Sequence, residues 1–189
     1  MRRTNKRLGL GAALAAVAAT ACLVPACKTP TPEEIKASLE VVDVQTKWVM
    51  KEYRQWPNPK LVIVPVVSFR VKNISAAPLT YVNFNAIFKE KGAVENVGDN
   101  FLAAIRDEAV PPGELSPTIT LKSNFGVEGR DKADIETNPY WKPWIVKLFA
   151  VKASRHVPMG EWDMSRFIDF IEDKAAPPAE PKAKEPVKK

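Results

Sequence analysis

The apolar residues of this chain recur at every second position, in short segments that are separated by turns. Val67, Phe69 and Val71 alternate with polar neighbours, and residues 79–89 resume the same alternation. Successive side chains of a β-strand point to opposite faces, so a period of two is typical of half-buried strands, whereas a helix shows a period near 3.6. The pattern therefore predicts strands, and no segment carries the periodicity of a long amphipathic helix.

Clusters of turn-forming residues separate these segments at roughly regular intervals. Pro57 and Pro59 end a first strand, residues 73–78 follow the second, and residues 111–114 precede a later one. The sequence therefore predicts an all-β fold, an antiparallel immunoglobulin-like β-sandwich of six to eight strands. The large side chains expected between its two sheets are Trp48, Phe69, Phe84, Phe88 and Phe149.

Four segments carry more specific expectations. Pro65 cannot donate a backbone hydrogen bond, so it indicates an edge strand or a bulge. Residues 124–138 are polar and predict a long loop, whereas residues 144–151 are apolar on both faces, as in a central strand. Residues 161–170 are expected to begin as a strand and to end in a helical turn.

The first residues have the layout of a secretory signal. Arg2, Arg3, Lys6 and Arg7 form a basic start, and the fourteen residues 8–21 are small or apolar without a charge. A bilayer-spanning helix needs about 20 residues, so this segment matches the apolar region of a cleaved signal peptide better. The alternative is an uncleaved anchor in which residues 8–24 form a short membrane helix.

Both cysteines, Cys22 and Cys27, lie at the end of this apolar segment, so the remainder of the chain cannot form a disulfide framework, a zinc knuckle or a thiol nucleophile. Each cysteine follows small residues, as Ala19-Thr20-Ala21 and as Val24-Pro25-Ala26, and each sequence resembles the lipobox of bacterial lipoproteins. The resemblance implies that one cysteine carries a covalent lipid such as palmitate. Cys27 is favoured because lipidation of Cys22 would leave a free thiol five residues later, and Cys22 is the alternative.

The same resemblance bears on location. Acyl chains hold a protein at a membrane because each buried methylene contributes ~0.8 kcal/mol. Bacterial lipoproteins that stay at the inner membrane commonly have Asp after the lipidated cysteine, whereas here the following residues are Leu23 and Lys28. The resemblance therefore implies the outer membrane, with the protein facing the periplasm.

The net charge of +6 comes from the two ends of the chain. The basic start contributes +4 and residues 174–189 contribute +3, which leaves −1 for the segment between them. A nucleic-acid-binding domain would cluster Lys and Arg on its folded body, so the sequence predicts no nucleic-acid partner. Four parts are expected: a signal peptide (1–26), a tether (27–38), the β-sandwich (39–173) and a disordered Pro, Ala and Lys tail (174–189). The tail is either a solvated spacer or a basic arm.

Catalytic and metal-binding patterns are not evident in the sequence. His156 is the single histidine and lies in an expected turn, and no motif for a nucleophile, a phosphate or a zinc ion occurs. Carboxylates cluster in two polar segments that lack an apolar wall to raise their pKa values. The sequence therefore predicts a non-enzymatic protein without a metal or cofactor other than the attached lipid. These carboxylates are Asp107 and Glu108 in one segment, and Asp131, Asp134 and Glu136 in the other.

Aromatic residues suggest one possible binding surface. Tyr140, Trp141 and Trp144 precede an expected central strand, and exposed rings beside polar groups suit a sugar or a protein partner. The alternative is that these rings close the open end of the sandwich.

Residues 65–123 resemble the FxLYD-type and related immunoglobulin-like domains of bacterial surface lipoproteins. The matching features are a strand that ends in Lys72-Asn73-Ile74-Ser75, a Pro-Leu pair at 78–79, an aromatic strand at 84–88 before Gly92, and Pro-Pro-Gly-Glu at 111–114. Residues 86–88 depart from the family's Leu-Tyr-Asp, and residues 124–173 have no counterpart. The resemblance implies fold and location but no activity. Asn73 is interpreted as a turn residue that tolerates a left-handed backbone and caps the turn with its side chain.

Together these features predict a membrane-anchored lipoprotein that interacts with an envelope protein. The alternative is a module that contacts glycan or peptidoglycan through residues 140–144.

Overall fold

A computed structural model describes residues 29–139 and 141–170, and in this part of the chain most residues lie in strands. Two short helices, α1 (Pro32–Lys36) and α2 (Lys132–Thr137), accompany nine strands. The strands are β1 (Leu39–Arg54), β2 (Lys60–Asn73), β3 (Val82–Glu90), β4 (Gly98–Ile105), β5 (Ile119–Lys122), β6 (Val127–Gly129), β7 (Trp144–Lys152), β8 (Arg155–Asp163) and β9 (Ile168–Asp169).

The strands form two sheets, which confirms the predicted all-β, two-sheet architecture, although the described chain has nine strands and not six to eight. The first sheet has the order β5-β2-β1-β9, with β6 also paired to β2, and the second sheet has the order β4-β3-β7-β8. All strand pairs are antiparallel except β1 with β9, which is parallel. β7 is a central strand of the second sheet, as its apolar character on both faces predicts.

The core lies between the two sheets and contains four of the five predicted side chains. Trp48, Phe69, Phe84 and Phe88 are all buried, and the rings of Phe69 on β2 and Phe84 on β3 meet edge to face at 5.1 Å across the sheets. Burial of a large apolar side chain of this kind stabilises the fold by about 1.5–3 kcal/mol.

The prediction that Phe149 lies in the core is wrong. Leu148 and Ala150 on either side of it are fully buried, so the alternation of β7 turns Phe149 to the outer face of the second sheet. There it lies beside Asn85 of β3 and is partly exposed. Both faces of β7 are apolar, and the sequence alone could not show which face is the inner one.

Pro65 lies in neither an edge strand nor a bulge. It pairs with Trp48 within β2, and β2 has neighbours on both sides. The second neighbour changes from β6 to β5 near this residue, and the Pro65 carbonyl accepts a hydrogen bond from the Ser123 nitrogen at 3.0 Å. The backbone N and C=O of one strand residue point to the same side, so the missing donor faces the gap between β5 and β6, where no ladder bond is lost.

Two loop predictions need correction. The segment predicted as a polar loop, 124–138, contains β6 and α2. Gly126 in this segment approaches the backbone of Ile63 and Val64 so closely that a Cβ atom would overlap them. The expected helical turn within 161–170 is replaced by an extended segment that ends in β9.

Helix α1 lies inside the predicted tether. Thr31 and Glu34 form a capping box, in which Thr31 Oγ1 accepts from the Glu34 nitrogen at 3.2 Å and Glu34 Oε2 accepts from the Thr31 nitrogen at 2.8 Å. Ile35 of this helix is fully buried in the core. The packed structure therefore begins before residue 39, with α1 next to the N-terminal end of β1, where the chain enters the domain.

Asn73 holds together the turns at the end of β2. Its Nδ2 donates to the carbonyls of Val110 at 2.7 Å and Ala77 at 2.9 Å, and its Oδ1 accepts from the nitrogen of Ser75 at 2.9 Å and from its hydroxyl at 2.7 Å. The residue has a relative exposure of 0%. The predicted capping role is confirmed, although the backbone of Asn73 is not left-handed.

Replacing Asn73 with Ala is expected to lower the free energy of unfolding by about 2–4 kcal/mol, because the hydrogen bonds of its buried side chain to Ala77, Val110 and Ser75 are all lost. Urea denaturation followed by Trp fluorescence measures this change. Asn124 is exposed, so Asn124→Ala is the control and should change the stability by less than about 0.5 kcal/mol. Equal effects of the two variants would contradict the role assigned to Asn73.

Candidate functional site

The residues considered as possible catalytic or metal-binding groups belong to three separate elements: β8, the turn after β4, and α2 with its N-cap. His156 is exposed on β8, and Asp107 and Glu108 are exposed in the turn after β4. Asp131 caps α2 by accepting from the Asp134 nitrogen at 2.8 Å, and Glu136 forms an ion pair with Lys132 at 3.5 Å. Within residues 29–139 and 141–170, no group of three or more His, Cys, Asp or Glu side chains could hold a metal ion.

Asp134 is held in its charged form. Its carboxylate accepts from the Arg130 backbone nitrogen at 2.8 Å and lies 3.3 Å from the Arg130 guanidinium. The backbone hydrogen bond, followed by the side-chain one, lowers the pKa of Asp134 below its ordinary value of 3.8. A general acid at neutral pH needs the opposite shift, so this carboxylate has a structural role at the start of α2.

The aromatic surface predicted from Tyr140, Trp141 and Trp144 is not exposed at its two tryptophans. Trp141 and Trp144 are only 5% and 3% exposed. Both rings meet Trp48 edge to face, at centroid distances of 6.3 and 5.1 Å. Tyr140 lies outside the described residues.

The side chain of Arg166 covers the ring of Trp141 in this tryptophan cluster. The Arg166 guanidinium lies 4.8 Å from the ring centre of Trp141, and its Nη2 donates to the Trp141 carbonyl at 2.7 Å. The two tryptophans therefore close one part of the core, as the alternative interpretation expects. They cannot offer a flat docking surface without rearrangement.

The most exposed tryptophan in the described chain lies elsewhere, at the tip of the β1–β2 hairpin. We refer to residues 53–60 as the hairpin tip. Trp56 is 84% exposed and Tyr53 is 52% exposed. The sequence places a strand break here but provides no reason to single out Trp56, because exposure at a turn follows only from how far the hairpin extends beyond the core.

Polar contacts brace the base of this tip. Lys60 pairs with Glu52 and with Glu128 of β6, both at 3.3 Å, and their side-chain hydrogen bonds raise the pKa of Lys60. The Arg54 Nε also donates to the Asn58 carbonyl at 3.2 Å. The tip is therefore attached to the first sheet on two sides while the Trp56 ring faces solvent.

The hairpin tip and the N-terminal entry to the domain are at opposite ends of β1. Helix α1 precedes Leu39, which pairs with Asn73, and the other end of the same ladder pairs Arg54 with Lys60. A strand rises about 3.3 Å per residue, and β2 spans the same ladder with 14 residues, so these two ends are separated by roughly 40 Å. The two ends of the domain therefore differ: the chain enters at one end, and the exposed Trp56 lies at the other.

A groove crosses the outer face of the first sheet, and we call it the outer groove. Its larger part has a volume of about 660 Å³ and its smaller part about 370 Å³. Both parts share Gln45, Ser68 and Thr118. The sequence does not reveal this groove, because its lining comes from four segments that are distant along the chain.

Neither a protein-family model nor a curated protein sequence matches this chain. Among solved structures, a crystal structure described as the ApaA protein from Bordetella pertussis matches with a TM-score of 0.38 and 15% sequence identity. The match covers 68% of this chain and 93% of that chain, and a likeness at this level carries no argument about fold or function. In the described residues, no helix is both long enough and apolar enough to cross a membrane.

The lowered pKa of Asp134 has a defined pH consequence. Because the pKa is lower in the folded state, ionised Asp134 stabilises the fold in full at pH values above its ordinary, unfolded pKa of 3.8. That stabilisation is lost as the pH falls through the folded pKa. In an NMR titration, Arg130→Leu should raise the pKa of Asp134 only part of the way, since the backbone N–H remains.

The matched control for this titration is Lys132→Leu, which removes a neighbouring cation that pairs with Glu136 instead. It should leave the Asp134 pKa nearly unchanged. An Asp134 pKa at or above 3.8 in the unaltered protein would contradict the proposed contacts.

Proposed function

We propose that this protein is a lipid-anchored component of the bacterial cell envelope, and that its β-sandwich is a non-enzymatic module that docks an envelope protein. The observation that carries the proposal is that the chain entry and the exposed Trp56 lie at opposite ends of the domain. The predicted lipid site, Cys27, lies only four residues before the Thr31 cap of α1. A lipid at Cys27 would therefore hold the entry end of β1 close to the membrane.

This arrangement would direct the hairpin tip away from the membrane. The separation of roughly 40 Å along the β1–β2 ladder is larger than four extended residues can span, which is about 14 Å. Trp56 would thus face the compartment and not the bilayer that holds the anchor. A lipoprotein at the outer membrane would then present Trp56 to the periplasm.

An exposed tryptophan on a braced hairpin is well suited to protein docking. Tryptophan is enriched among residues that dominate binding energy, because its ring buries a large apolar area while its N–H finds a polar partner. The strands that carry the hairpin tip stay paired up to Arg54 and Lys60, so little backbone order needs to be gained on binding. We propose Trp56 as the central contact with the envelope partner.

We infer further that the sandwich is immunoglobulin-like and related to FxLYD-type domains. The chain passes between the sheets after β2, after β4, after β6 and after β8, as in Greek-key sandwiches. The Lys72-Asn73-Ile74-Ser75 turn, on which the resemblance is based, is the one that Asn73 ties together. These hydrogen bonds give the motif a structural role, which supports the proposed relationship.

The anchor is tested by growing cells with an alkyne-tagged fatty acid and analysing the purified protein by mass spectrometry. The label is expected on Cys27, so Cys27→Ser should abolish it and Cys22→Ser should retain it. The control is the double variant, which offers no acceptor thiol because the chain has two cysteines. An unlabelled, full-length wild-type chain would overturn the proposed anchor.

The docking role is tested by photo-crosslinking in living cells. A photoreactive amino acid at position 55 should give one discrete adduct with an envelope protein. The additional change Trp56→Ala should lower the yield about thirtyfold, which corresponds to the loss of a contact worth about 2 kcal/mol.

The matched control places the same photoreactive residue at position 107, which is exposed in the turn after β4. That turn leads to Val110, which bonds Asn73 at the entry end of the domain. Equal crosslinking from positions 55 and 107, or an adduct that survives Trp56→Ala, would contradict the proposal.

A further inference from the structure

The outer groove is separate from the hairpin tip and has its own chemistry. Its floor is the outer face of β1 and β2, with Gln45 paired to Ser68. One wall is formed by Thr118 just before β5, and the opposite wall by Ser165, Phe167 and Asp169. The groove therefore lies over β1 and β2, between the two flanking segments, and is open to solvent.

In the larger part of the groove, most of the lining residues carry uncharged groups that both donate and accept hydrogen bonds. These are hydroxyl groups and one amide, and the hydroxyls of Ser68 and Thr120 already bond each other at 3.0 Å. Groups of this kind match the hydroxyls of a sugar, which also donate and accept. The uncharged lining residues are Gln45, Thr46, Ser68, Thr118 and Ser165.

The charged groups in the groove occur in pairs of opposite sign. Lys47 bonds Asp169 at 3.0 Å, and Arg70 lies 3.8 Å from Asp43 in the smaller part. Each pair has no net charge, so the groove lacks the excess of one sign that recognition of a phosphate or a polyanion requires. An uncharged ligand is favoured.

Phe167 adds a flat apolar surface to this polar groove. Its side chain is 65% exposed, whereas its neighbour Ile168 is buried in the core. The backbone is fixed on both sides, since the Phe167 carbonyl accepts from the Trp48 nitrogen at 2.9 Å and its own nitrogen donates to Ser165 Oγ at 3.1 Å. An aromatic ring held in place beside hydrogen-bonding groups can stack on the C–H face of a pyranose at little entropic cost.

The pairing of the strands around the groove argues against a peptide ligand that would add a strand to the sheet. An extended peptide binds by adding a strand to a free sheet edge. At the groove, β2 lies between β1 and β5, and the edge of β1 is occupied by the backbone of residues 167–169. The groove offers side chains on a sheet face, and this favours a ligand that binds through its own hydroxyls.

We propose that the outer groove is a binding site for a short, uncharged oligosaccharide, with Phe167 as the stacking surface and Gln45 and Ser68 as hydrogen-bonding residues. This site goes beyond the proposed docking function. It is independent of Trp56, of the hairpin tip and of the lipid anchor.

The experiment is isothermal titration calorimetry on the full chain in detergent micelles, with three uncharged tetrasaccharides: cellotetraose, maltotetraose and chitotetraose. At least one should bind with a Kd of about 1 mM or tighter, the affinity of a weak single-chain sugar site. Phe167→Ala and Gln45→Ala should each weaken that binding by about tenfold. Trp56→Ala should leave it unchanged.

Near-ultraviolet circular dichroism establishes that each variant keeps its tertiary packing, and Phe125→Ala serves as a matched control because Phe125 is equally exposed at 63% but lies outside the groove lining. The inference is overturned if none of the three sugars binds when its concentration reaches about 10 mM, tenfold above the expected Kd. It is also overturned if Phe125→Ala weakens binding as much as Phe167→Ala, or if only the anionic tetragalacturonate binds. These results do not depend on whether crosslinking at the hairpin tip succeeds.

Discussion

The pairing of β1 with β2 is the interaction on which the rest of the structure depends. The ladder runs from Leu39 and Asn73 at one end to Arg54 and Lys60 at the other, and it is the longest in the described chain. All other strands of the first sheet attach to it, since β5 and β6 pair with β2 and β9 pairs with β1. Its inner face contributes Trp48 and Phe69 to the core, and its outer face forms the floor of the groove.

The length of this hairpin also separates the two ends of the domain. The core occupies only part of the ladder, so the last residues of β1 and the turn after them are exposed. Helix α1 packs at the opposite end, where Ile35 fills the core and Asn73 joins the turns. The entry to the domain is thus rigid and capped, while the far end presents Trp56 on a braced but uncovered turn.

The outer faces of the two sheets differ in chemistry. The first sheet presents hydroxyls, an amide and paired charges around its groove. The second sheet presents a row in which Phe101, Asn85 and Phe149 lie side by side on β4, β3 and β7. Such a row of two aromatic rings around an amide is compatible with contact to another surface, whereas the groove of the first sheet combines a concave shape with convergent polar groups.

Much of the local structure was predictable from the sequence because alternation and turn residues act over short distances. The strands around Phe69 and Phe84, their inward faces and the turn at Asn73 follow from the pattern of neighbouring residues. The errors arose where local pattern is ambiguous. Phe149 lies in a strand that is apolar on both faces, and Pro65 is tolerated because two different strands share the side of β2 that it faces.

The sequence by itself determined a β-rich body with most of its principal core residues, and a basic and then apolar N-terminal segment that ends at two cysteines. Only the tertiary structure decided which aromatic rings are accessible. It buries Trp141 and Trp144 against Trp48 and leaves Trp56 and Phe167 in solvent. The physical reason is that burial depends on which strands pack over a side chain, and those strands are far away in the chain. For the same reason the outer groove, built from four separate segments, exists only after the sheets have formed.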